Sequence, residues 1–529
     1  MLAAEPFYFG RSSRPLFGWY HRPVAPGGRA VVLCNPLGLD GTRAHWSYRH
    51  LAERLVGAGF DVLRFDWHGT GDSSGDGSEP DQVATWLDDL GQAIEELKRR
   101  AGVARLHLVG LRAGATLAAH VAAARDDIDS TVLWMPAMTG AAWVGEMTKL
   151  HKLYLRIVPQ IDPPQPGGEE LLGSFASATT IAELGRIDLF ALPRRPAPRV
   201  LVVEEGTLRE GERLREHLAA SGADVAWTRQ PAQKFLLMVP HRATLPEESI
   251  NAIVEWLRSL PAVDASPRPS GSTPPTSFSE RPVRFGVDQR LFGILTPAAA
   301  PPGGDRPAII LLNAGAVNRS GPHRLYPTMA RRWADLGFTV LRMDLSGIGD
   351  SPAVAGEREN LVYPREGLND IGAALDFLAA EVGAARFIVA GLCSGADLAY
   401  QAARREERLA GVVMMNPRTF LDLDLNRVEQ PAPRIPRESE PIETEEAGRV
   451  PAGLQQISER SIDAMLVVSE RDPGVDYVDR HAPAAMREAE TLPRFRRVDI
   501  RGADHTFTTI ASQRRVVDLV TDEYLSRHR

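Results

Sequence analysis

Three motifs from the first half of the chain recur in the second half, in the same order and at nearly constant spacing. Residues 7–38 align with 283–315, residues 60–75 with 338–353, and residues 104–118 with 385–399. Chance similarity would not stay in register over three motifs, whereas self-similarity at a fixed offset is typical of a repeated structural unit. The sequence therefore predicts an internal duplication, in which each half folds into the same type of domain.

The boundary between the two halves is predicted at residues 263–280, a segment rich in Pro, Ser and Gly. Such a composition without apolar periodicity is typical of a flexible linker. The 529 residues are too many for one compact core and enough for two domains of roughly 250 residues each. We therefore predict domains over residues 1–262 and 281–529, packed together as an intramolecular pseudo-dimer.

Within each half, short apolar runs alternate with amphipathic helical stretches. In the second half the runs are AIILLN, TVLRMD, RFIVAG, GVVMMN and AMLVVS. Continuous apolar runs indicate strands that are covered on both faces, as in a parallel sheet flanked by helices. The predicted fold class is α/β, with two tandem, mostly parallel, doubly wound sheets. Because such sheets bind ligands beyond the carboxyl ends of their strands, functional residues are expected directly after the runs.

A pentapeptide of sequence GLCSG, residues 391–395, follows the run RFIVA and opens a helical stretch. A nucleophile between two small residues at such a turn is typical of a nucleophile elbow. The central residue takes strained backbone angles, so the positions two away from it must lack bulk where helix and strand cross. Both positions are glycine only if Cys393 is central, because a central Ser394 would place Leu392 there. We therefore predict that Cys393 is the nucleophile, its thiolate stabilised by the helix N-terminus. A buried structural cysteine is the alternative.

The first half has GLRAG, residues 110–114, in the equivalent place. Both glycines are kept, which predicts that the elbow still forms. Arg112 stands where the nucleophile would be, and a guanidinium group that stays protonated cannot attack. If Arg112 lines a pocket, we expect it to bind a carboxylate or a phosphate. The alternative is an ion pair with a nearby acidic side chain.

A thiol nucleophile needs a base, and the base needs an orienting carboxylate, in the chain order nucleophile, acid, histidine. Asp472 follows the run AMLVVS by one short turn, and His505 lies in the loop after the last predicted strand. We predict a catalytic triad of Cys393, Asp472 and His505. Asp476 and Asp504 are alternative acids, of which Asp504 adjoins the histidine and is expected to point away from its ring.

The same register applied to the first half places Thr207 at the acid position and His241 at the histidine position. Glu204 or Glu205 is an alternative acid, but nothing there restores a nucleophile. We therefore expect the first half to be catalytically silent.

An oxyanion hole needs N–H donors aimed at the reacting carbonyl oxygen. The backbone N–H of Ser394 is expected to be the first donor. The second is expected from the loop after the first core strand of the second half, with Gly315 as the best candidate and Ala314 as the alternative. Cys34 lies inside the corresponding strand of the first half and is most simply a packed core residue.

Composition argues against several kinds of partner. The formal net charge is −7 and the isoelectric point is near 6.1, whereas a surface for nucleic acid or anionic membranes needs a basic footprint. Two cysteines cannot form a disulfide framework. The sequence shows no signal-peptide pattern and no apolar stretch of the roughly 18 residues that a membrane helix needs. We therefore expect a cytoplasmic protein without nucleic-acid or membrane partners. The sequence has no metal-ligand cluster and no glycine-rich phosphate loop, so no cofactor is predicted.

The motifs together resemble two fused α/β-hydrolase domains of the serine aminopeptidase-like branch. The sequences DWHGTGDS at 66–73 and DLSGIGDS at 344–351 match the D-x-x-G-x-G-x-S loop that is common after a core strand in that superfamily. Two segments, 136–198 and 417–461, lie where the family inserts caps over its active site. The first contains MTKLHKLYLRIV, expected to be a cap helix. The second is short, acidic and Pro-rich, which predicts a loop-like lid.

The chain departs from this family in having cysteine where serine is usual, and in this it is similar to dienelactone hydrolases and polyhydroxyalkanoate synthases. We therefore expect a hydrolase of ester or thioester bonds that forms an acyl-thioenzyme. An acyltransferase is the first alternative, because a thioester intermediate keeps the acyl group activated toward amines, alcohols and thiols. A non-catalytic scaffold or carrier-protein-binding module is the second. The expected partner is a small acyl ester or thioester, either free or bound to a carrier protein or coenzyme A.

Overall fold

The apolar runs of both halves form the central strands of two eight-stranded β-sheets in a computed structural model of the chain. The structure describes residues 4–25, 27–158, 161–205, 209–230, 238–262, 278–299, 306–418, 444–470, 472, 479 and 483–528, without the side chains of 444–451 and 485. Two compact units divide the chain: Met1–Tyr154 with Gln165–Phe278, and Leu155–Pro164 with Ser279–Arg529. The short segment Leu155–Pro164 of the first half thus groups with the second unit.

The described residues of the first unit form ten strands, of which eight make up its large sheet. The strands are β1 Ala4–Arg11, β2 Arg14–His21, β3 Arg29–Cys34, β4 Phe60–Phe65, β5 Leu106–Leu111, β6 Ile128–Trp134, β7 Gly168–Glu170, β8 Phe175–Ser177, β9 Arg199–Glu204 and β10 Asp224–Arg229. The helices are α1 Leu39–Gly57, α2 Gln82–Ala101, α3 Ala113–Ala123, α4 Gly140–Leu155, α5 Ala178–Leu184, α6 Arg209–Ala220 and α7 Glu247–Ser259. The large sheet has the order β1-β2-β4-β3-β5-β6-β9-β10.

The second unit has a sheet of eight strands in the order β11-β12-β14-β13-β15-β16-β17-β18. The strands are β11 Arg281–Phe285, β12 Leu291–Thr296, β13 Ala308–Leu312, β14 Val340–Asp344, β15 Phe387–Leu392, β16 Leu409–Met415, β17 Asp463–Ser469 and β18 Phe495–Ile500. The helices are α8 Leu325–Asp335, α9 Gly367–Val382, α10 Ser394–Arg405, α11 Thr444–Glu459, α12 Pro483–Ala489 and α13 Ile510–Leu519.

The two large sheets have the same strand order and the same strand directions. In each, six consecutive strands are parallel, and an antiparallel hairpin extends one edge. The five apolar runs of the second half correspond to β13–β17, whose residues are almost all fully buried. The predicted α/β class with a doubly wound, mostly parallel sheet is confirmed. The carboxyl ends of β13, β15, β16 and β17 therefore meet at one edge of the second sheet.

The two cap segments differ from each other in structure. The expected cap helix of the first segment is part of α4, and α5 and the small β7–β8 hairpin follow it. In the second segment residues 419–443 lie outside the described residues, but Thr444–Glu459 form α11, where a loop-like lid was expected. Leu454 and Ile457, three residues apart, are both buried. The segment is acidic and Pro-rich overall, so its sequence does not reveal this short apolar face or the helix that carries it.

The predicted linker cannot be assigned a structure, because residues 263–277 lie outside the described part of the chain. None of the helices in the described ranges combines the length and the apolar character needed to cross a bilayer.

Candidate active site

The turn between β15 and α10 places Cys393 in a strained conformation. Its φ is 59° and its ψ is −124°, a backbone conformation that residues other than glycine rarely adopt. A Cβ on Gly391 would lie 2.3 Å from the backbone of Gly395, and a Cβ on Gly395 would lie 2.5 Å from the carbonyl oxygen of Asn313. Both glycines are therefore required where the helix crosses the strands, which is the steric argument that selects Cys393 as the central residue.

Cys393 lies directly after β15 and is buried, with 9% of its surface exposed. The residue before it, Leu392, donates its N–H to the hydroxyl of the buried Tyr326 over 3.2 Å. The N–H of Cys393 itself donates to Met415 in the next strand. These bonds anchor the turn on both sides, so the backbone strain at Cys393 is held by its surroundings.

The structure brings the three predicted triad residues together. Asp472 follows β17 and is completely buried, and its Oδ2 atom is hydrogen-bonded to Nδ1 of His505. The other ring nitrogen, Nε2, is buried and has no hydrogen bond of ordinary geometry among the described residues. The Cys393 sulfur lies close enough to act electrostatically on this ring. The carboxylate thus holds the imidazole, and the Cys393 sulfur lies within electrostatic range of the same ring.

The charges around His505 favour its protonated form. Burial lowers the pKa of the imidazole, but the negative charge of Cys393 and the hydrogen bond to Asp472 outweigh this effect and raise the pKa to about 10. At neutral pH the ring is therefore protonated beside the Cys393 sulfur, with a proton available for a leaving group.

Of the two alternative acids, Asp504 is hydrogen-bonded to residues other than His505. Both carboxylate oxygens of Asp504 accept hydrogen bonds from Thr508, and one of them also accepts from Thr506. The carboxylate of Asp504 is thus hydrogen-bonded within its own loop and not to His505. Asp476 lies outside the described residues.

The predicted oxyanion donors lie together but are bonded differently from the expectation. The N–H of Ser394 has no acceptor among the described residues. The N–H of Gly315 donates to the side-chain Oγ of Ser394 over 3.0 Å, so it is not free for a substrate. Ala314 is buried, and its carbonyl accepts a bond from Val317 that tightens the loop.

The D-x-x-G-x-G-x-S loop holds this oxyanion loop in place. Asn313 donates to Asp344 over 3.1 Å and to the carbonyl of Val317 over 2.9 Å. Arg319, 2% exposed, donates to Asp344 over 2.7 Å and to Asp350 over 2.8 Å. The motif that carries the family resemblance therefore has a positioning role here, through a buried ion pair that the sequence analysis missed.

Asn416, directly after β16, is a second residue that the sequence analysis missed. Its side-chain amide donates to Ser469 over 2.8 Å and to the carbonyl of His505 over 2.9 Å, and its Oδ1 accepts from the Ser469 N–H over 2.7 Å. The residue is fully buried and has a φ of 45°, which asparagine tolerates better than most residues. Asn416 thereby ties the acid-bearing strand to the loop of His505.

The corresponding turn of the first unit keeps the elbow without a nucleophile. Arg112 has a φ of 55° and a ψ of −127°, within a few degrees of the values at Cys393. Its guanidinium pairs with Asp40 over 3.4 Å and with Glu146 of α4. Burial lowers the pKa of Arg112, but these two carboxylates raise it. Of the two alternatives for Arg112, the ion pair with nearby acids is the one observed.

Among the described residues, the side chain of Arg112 makes no hydrogen bond or ion pair with His241 or Glu204. His241 is exposed in a short 3₁₀ turn, Pro240–Arg242. Thr207 lies outside the described residues, and Glu204 accepts a hydrogen bond from Trp227 over 2.9 Å. Cys34 is completely buried in β3, and this burial raises the pKa of its thiol.

The geometry of both units agrees with one family of known proteins. The family described as serine aminopeptidase, S33, matches residues 37–180 and 305–441, more than half of the chain. The chain belongs to this hydrolase family. The matched segments contain both elbows and both D-x-x-G-x-G-x-S loops. No curated protein matches the chain.

Solved structures of similar fold each cover about half of the chain. Est1E of Butyrivibrio proteoclasticus, solved with ferulic acid bound, is 15% identical over 48% of this chain and 96% of its own, with a TM-score of 0.35. An esterase of Pyrococcus furiosus is 16% identical over 49% and 90%, with a TM-score of 0.35. A proline iminopeptidase of Mycobacterium smegmatis is 16% identical over 48% and 97%, with a TM-score of 0.34.

The described residues contain no group of three or more His, Cys, Asp or Glu side chains that is arranged to hold a metal ion.

Replacing Asn416 by methionine, the residue at the equivalent position Met135 of the first half, is expected to lower kcat at least tenfold. The change removes three buried hydrogen bonds and leaves groups of Ser469 and His505 unsatisfied, which costs about 2–4 kcal/mol of unfolding free energy. Steady-state kinetics and urea unfolding measure both effects. Met135 has a similar φ of 44°, so Met135→Asn is the matched control and should leave turnover unchanged. An Asn416→Met variant with wild-type kcat would contradict the positioning role.

Replacing Arg112 by alanine is expected to destabilise the first unit without changing turnover. Asp40 is 5% exposed, and without Arg112 this buried carboxyl loses its ion-pair partner, which costs roughly 1–3 kcal/mol. Urea unfolding followed by tryptophan fluorescence measures the loss, and an ester assay on the same samples measures turnover. A strong loss of turnover with unchanged stability would instead assign Arg112 a catalytic role.

Proposed function

We propose that the second unit hydrolyses ester or thioester bonds through a covalent acyl-thioenzyme on Cys393. The observation that carries this proposal is the placement of Cys393 within electrostatic range of His505, which is hydrogen-bonded to Asp472, at the carboxyl ends of parallel strands. Membership of a hydrolase family supports the reaction class. The replacement of the usual serine by cysteine favours activated acyl groups, so amide hydrolysis is not part of the proposal.

In the first step the thiolate of Cys393 attacks the acyl carbonyl carbon. A carbon–sulfur bond forms, and the carbonyl π electrons move onto oxygen, where N–H donors at the start of α10 stabilise the charge. The tetrahedral intermediate collapses, the bond to the alkoxide or thiolate leaving group breaks, and His505 protonates that group from Nε2. Asp472 keeps the ring oriented and stabilises the imidazolium between these steps.

In the second step His505, now neutral, takes a proton from water as the oxygen attacks the thioester carbonyl. Collapse of the second intermediate releases a carboxylic acid and regenerates the thiolate and the imidazolium. An amine, alcohol or thiol in the place of water would give an acyl-transfer product by the same sequence. Hydrolysis and transfer therefore differ only in the acceptor, and product analysis separates them.

We further infer that the two units arose by duplication and that the first has no catalytic activity. The shared strand order and the near-identical backbone angles at Arg112 and Cys393 support the duplication. The arginine and the exposed His241 support the loss of catalysis. In the described part of the first unit, the residue at the elbow cannot attack a carbonyl, and its partners are two carboxylates instead of a histidine.

The test is product analysis with a panel of short-chain acyl thioesters and aryl esters, with and without an added amine or alcohol. The wild type should release the acid, and a transfer product in the presence of acceptor would assign the chain to the acyltransferases instead. His505→Ala should lose turnover, whereas His241→Ala, the same change at the aligned position, should not. If no donor is turned over, or if the two variants are equally affected, the proposal is wrong.

A further inference from the structure

The side chain of Ser394 is placed unusually for the residue that follows a nucleophile. It is 1% exposed, and its Oγ accepts the N–H of Gly315 over 3.0 Å. The hydroxyl makes no other hydrogen bond in the described part of the chain. A hydroxyl carries one donor and two acceptor sites, and a buried donor is normally paired. The O–H of Ser394 is thus a buried donor without an acceptor among the described residues, and it lies next to Cys393 in the chain.

No described atom fills the space next to the contact between Gly315 and Ser394. A Cβ added to Gly315 would have no described atom within 4 Å, apart from the atoms of its two chain neighbours. The φ of Gly315 is 58°, so glycine is the residue suited to this turn. The contact between Gly315 and Ser394 therefore borders a region that no described residue fills, at the edge of the sheet where the proposed reaction takes place.

We propose that the Ser394 hydroxyl is the second oxyanion donor, an inference that rests on the proposed function. The oxyanion accepts one bond from the Ser394 N–H and one from the Ser394 O–H. Gly315, expected from the sequence to supply this donor, instead polarises the hydroxyl by donating to its Oγ, and hydrogen bonds in such a chain strengthen one another. When Cys393 attacks, the hydroxyl stays covalently intact and its bond to the carbonyl oxygen shortens as negative charge develops there.

The first unit provides the matched comparison. Ala113 follows Arg112 there, at the position of Ser394, and the elbow keeps its backbone angles. Alanine is thus compatible with this turn, and the unit that lacks a nucleophile also lacks the hydroxyl donor. Ser394→Ala is therefore a substitution that the fold tolerates.

The experiment compares Ser394→Ala with the wild type in acylation by an acyl thioester and in alkylation by iodoacetamide. Acyl transfer passes through an oxyanion, whereas alkylation of the thiolate does not. We expect the kcat for the thioester to fall by about 10²–10³-fold, the effect of removing one oxyanion donor. KM and the alkylation rate of Cys393 should stay within about twofold of the wild type, and the melting temperature should fall only slightly, because the Gly315 N–H loses its acceptor.

Three results would overturn the inference. An unchanged or higher kcat in Ser394→Ala would mean that the released N–H of Gly315 is the true donor. A parallel loss of alkylation would mean that Ser394 acts on the thiolate and not on the oxyanion. If the wild type itself is not acylated at Cys393 while iodoacetamide still labels it, the proposed function fails and this inference fails with it.

Discussion

Replacing Cys393 by alanine is expected to lower kcat for ester and thioester substrates by about 10⁴–10⁶-fold, the cost of removing a covalent nucleophile. The physical reason is that Cys393 is the only described nucleophilic side chain at the elbow whose sulfur or oxygen acts on His505. The hydroxyl of Ser394 is not paired with His505, whose ring is held by Asp472 and faces the sulfur. Steady-state kinetics at saturating substrate measure the effect, with the residual rate set by the remaining donors.

The matched control is Cys34→Ala in the first unit. Cys34 is completely buried, and burial raises the pKa of its thiol, so it carries no thiolate at neutral pH. Its loss should leave turnover unchanged, and the small change of volume should cost little stability. Equal activity of Cys393→Ala and the wild type would contradict covalent catalysis by this residue.

Replacing Asp472 by asparagine is expected to lower kcat by about 10³–10⁴-fold, because an amide cannot stabilise the imidazolium or hold the reactive tautomer. The charge of Asp472 is one of the causes that raise the pKa of His505 to about 10. The wild type should therefore lose activity as the pH rises through about 10, where the imidazolium loses its proton. In Asp472→Asn this alkaline limb should move to lower pH, and pH–rate profiles measure the shift.

Asp504→Asn is the comparison that discriminates between the two acids. Asp504 is adjacent to His505 in sequence, but its carboxylate is bonded to Thr506 and Thr508. We expect less than a tenfold loss of kcat and no shift of the alkaline limb. A larger effect of Asp504→Asn than of Asp472→Asn would reverse the assignment of the acid.

The elbow, the central strands and the positions of the residues after them depend on local sterics and could be predicted from the sequence. Two glycines spaced around one residue define the elbow, because a Cβ at Gly391 or Gly395 would collide with backbone. Continuous apolar runs define the central strands, and the ends of those strands define where Asp472 and His505 lie. Each of these features depends on short segments and on the common geometry of parallel sheets.

The parts that depend on long-range packing could not be predicted. Ser394 and Gly315 are 79 residues apart in sequence, and nothing in either segment indicates that one side chain accepts the N–H of the other. Asn416 is a single polar residue after a strand, and its three bonds reach Ser469 and His505. The partners of Arg112 lie on α1 and α4 and are decided by how these helices pack.

The covalent intermediate on Cys393 is tested most directly by trapping it. The wild type is mixed with a short-chain acyl thioester, quenched in acid within milliseconds to seconds, digested and mapped by mass spectrometry. We expect one acyl group on the peptide that contains Cys393, none on the peptide of Cys34, and no adduct in Cys393→Ala. Substrate turnover without an adduct at Cys393, or an adduct on another residue such as Ser394, would contradict this expectation.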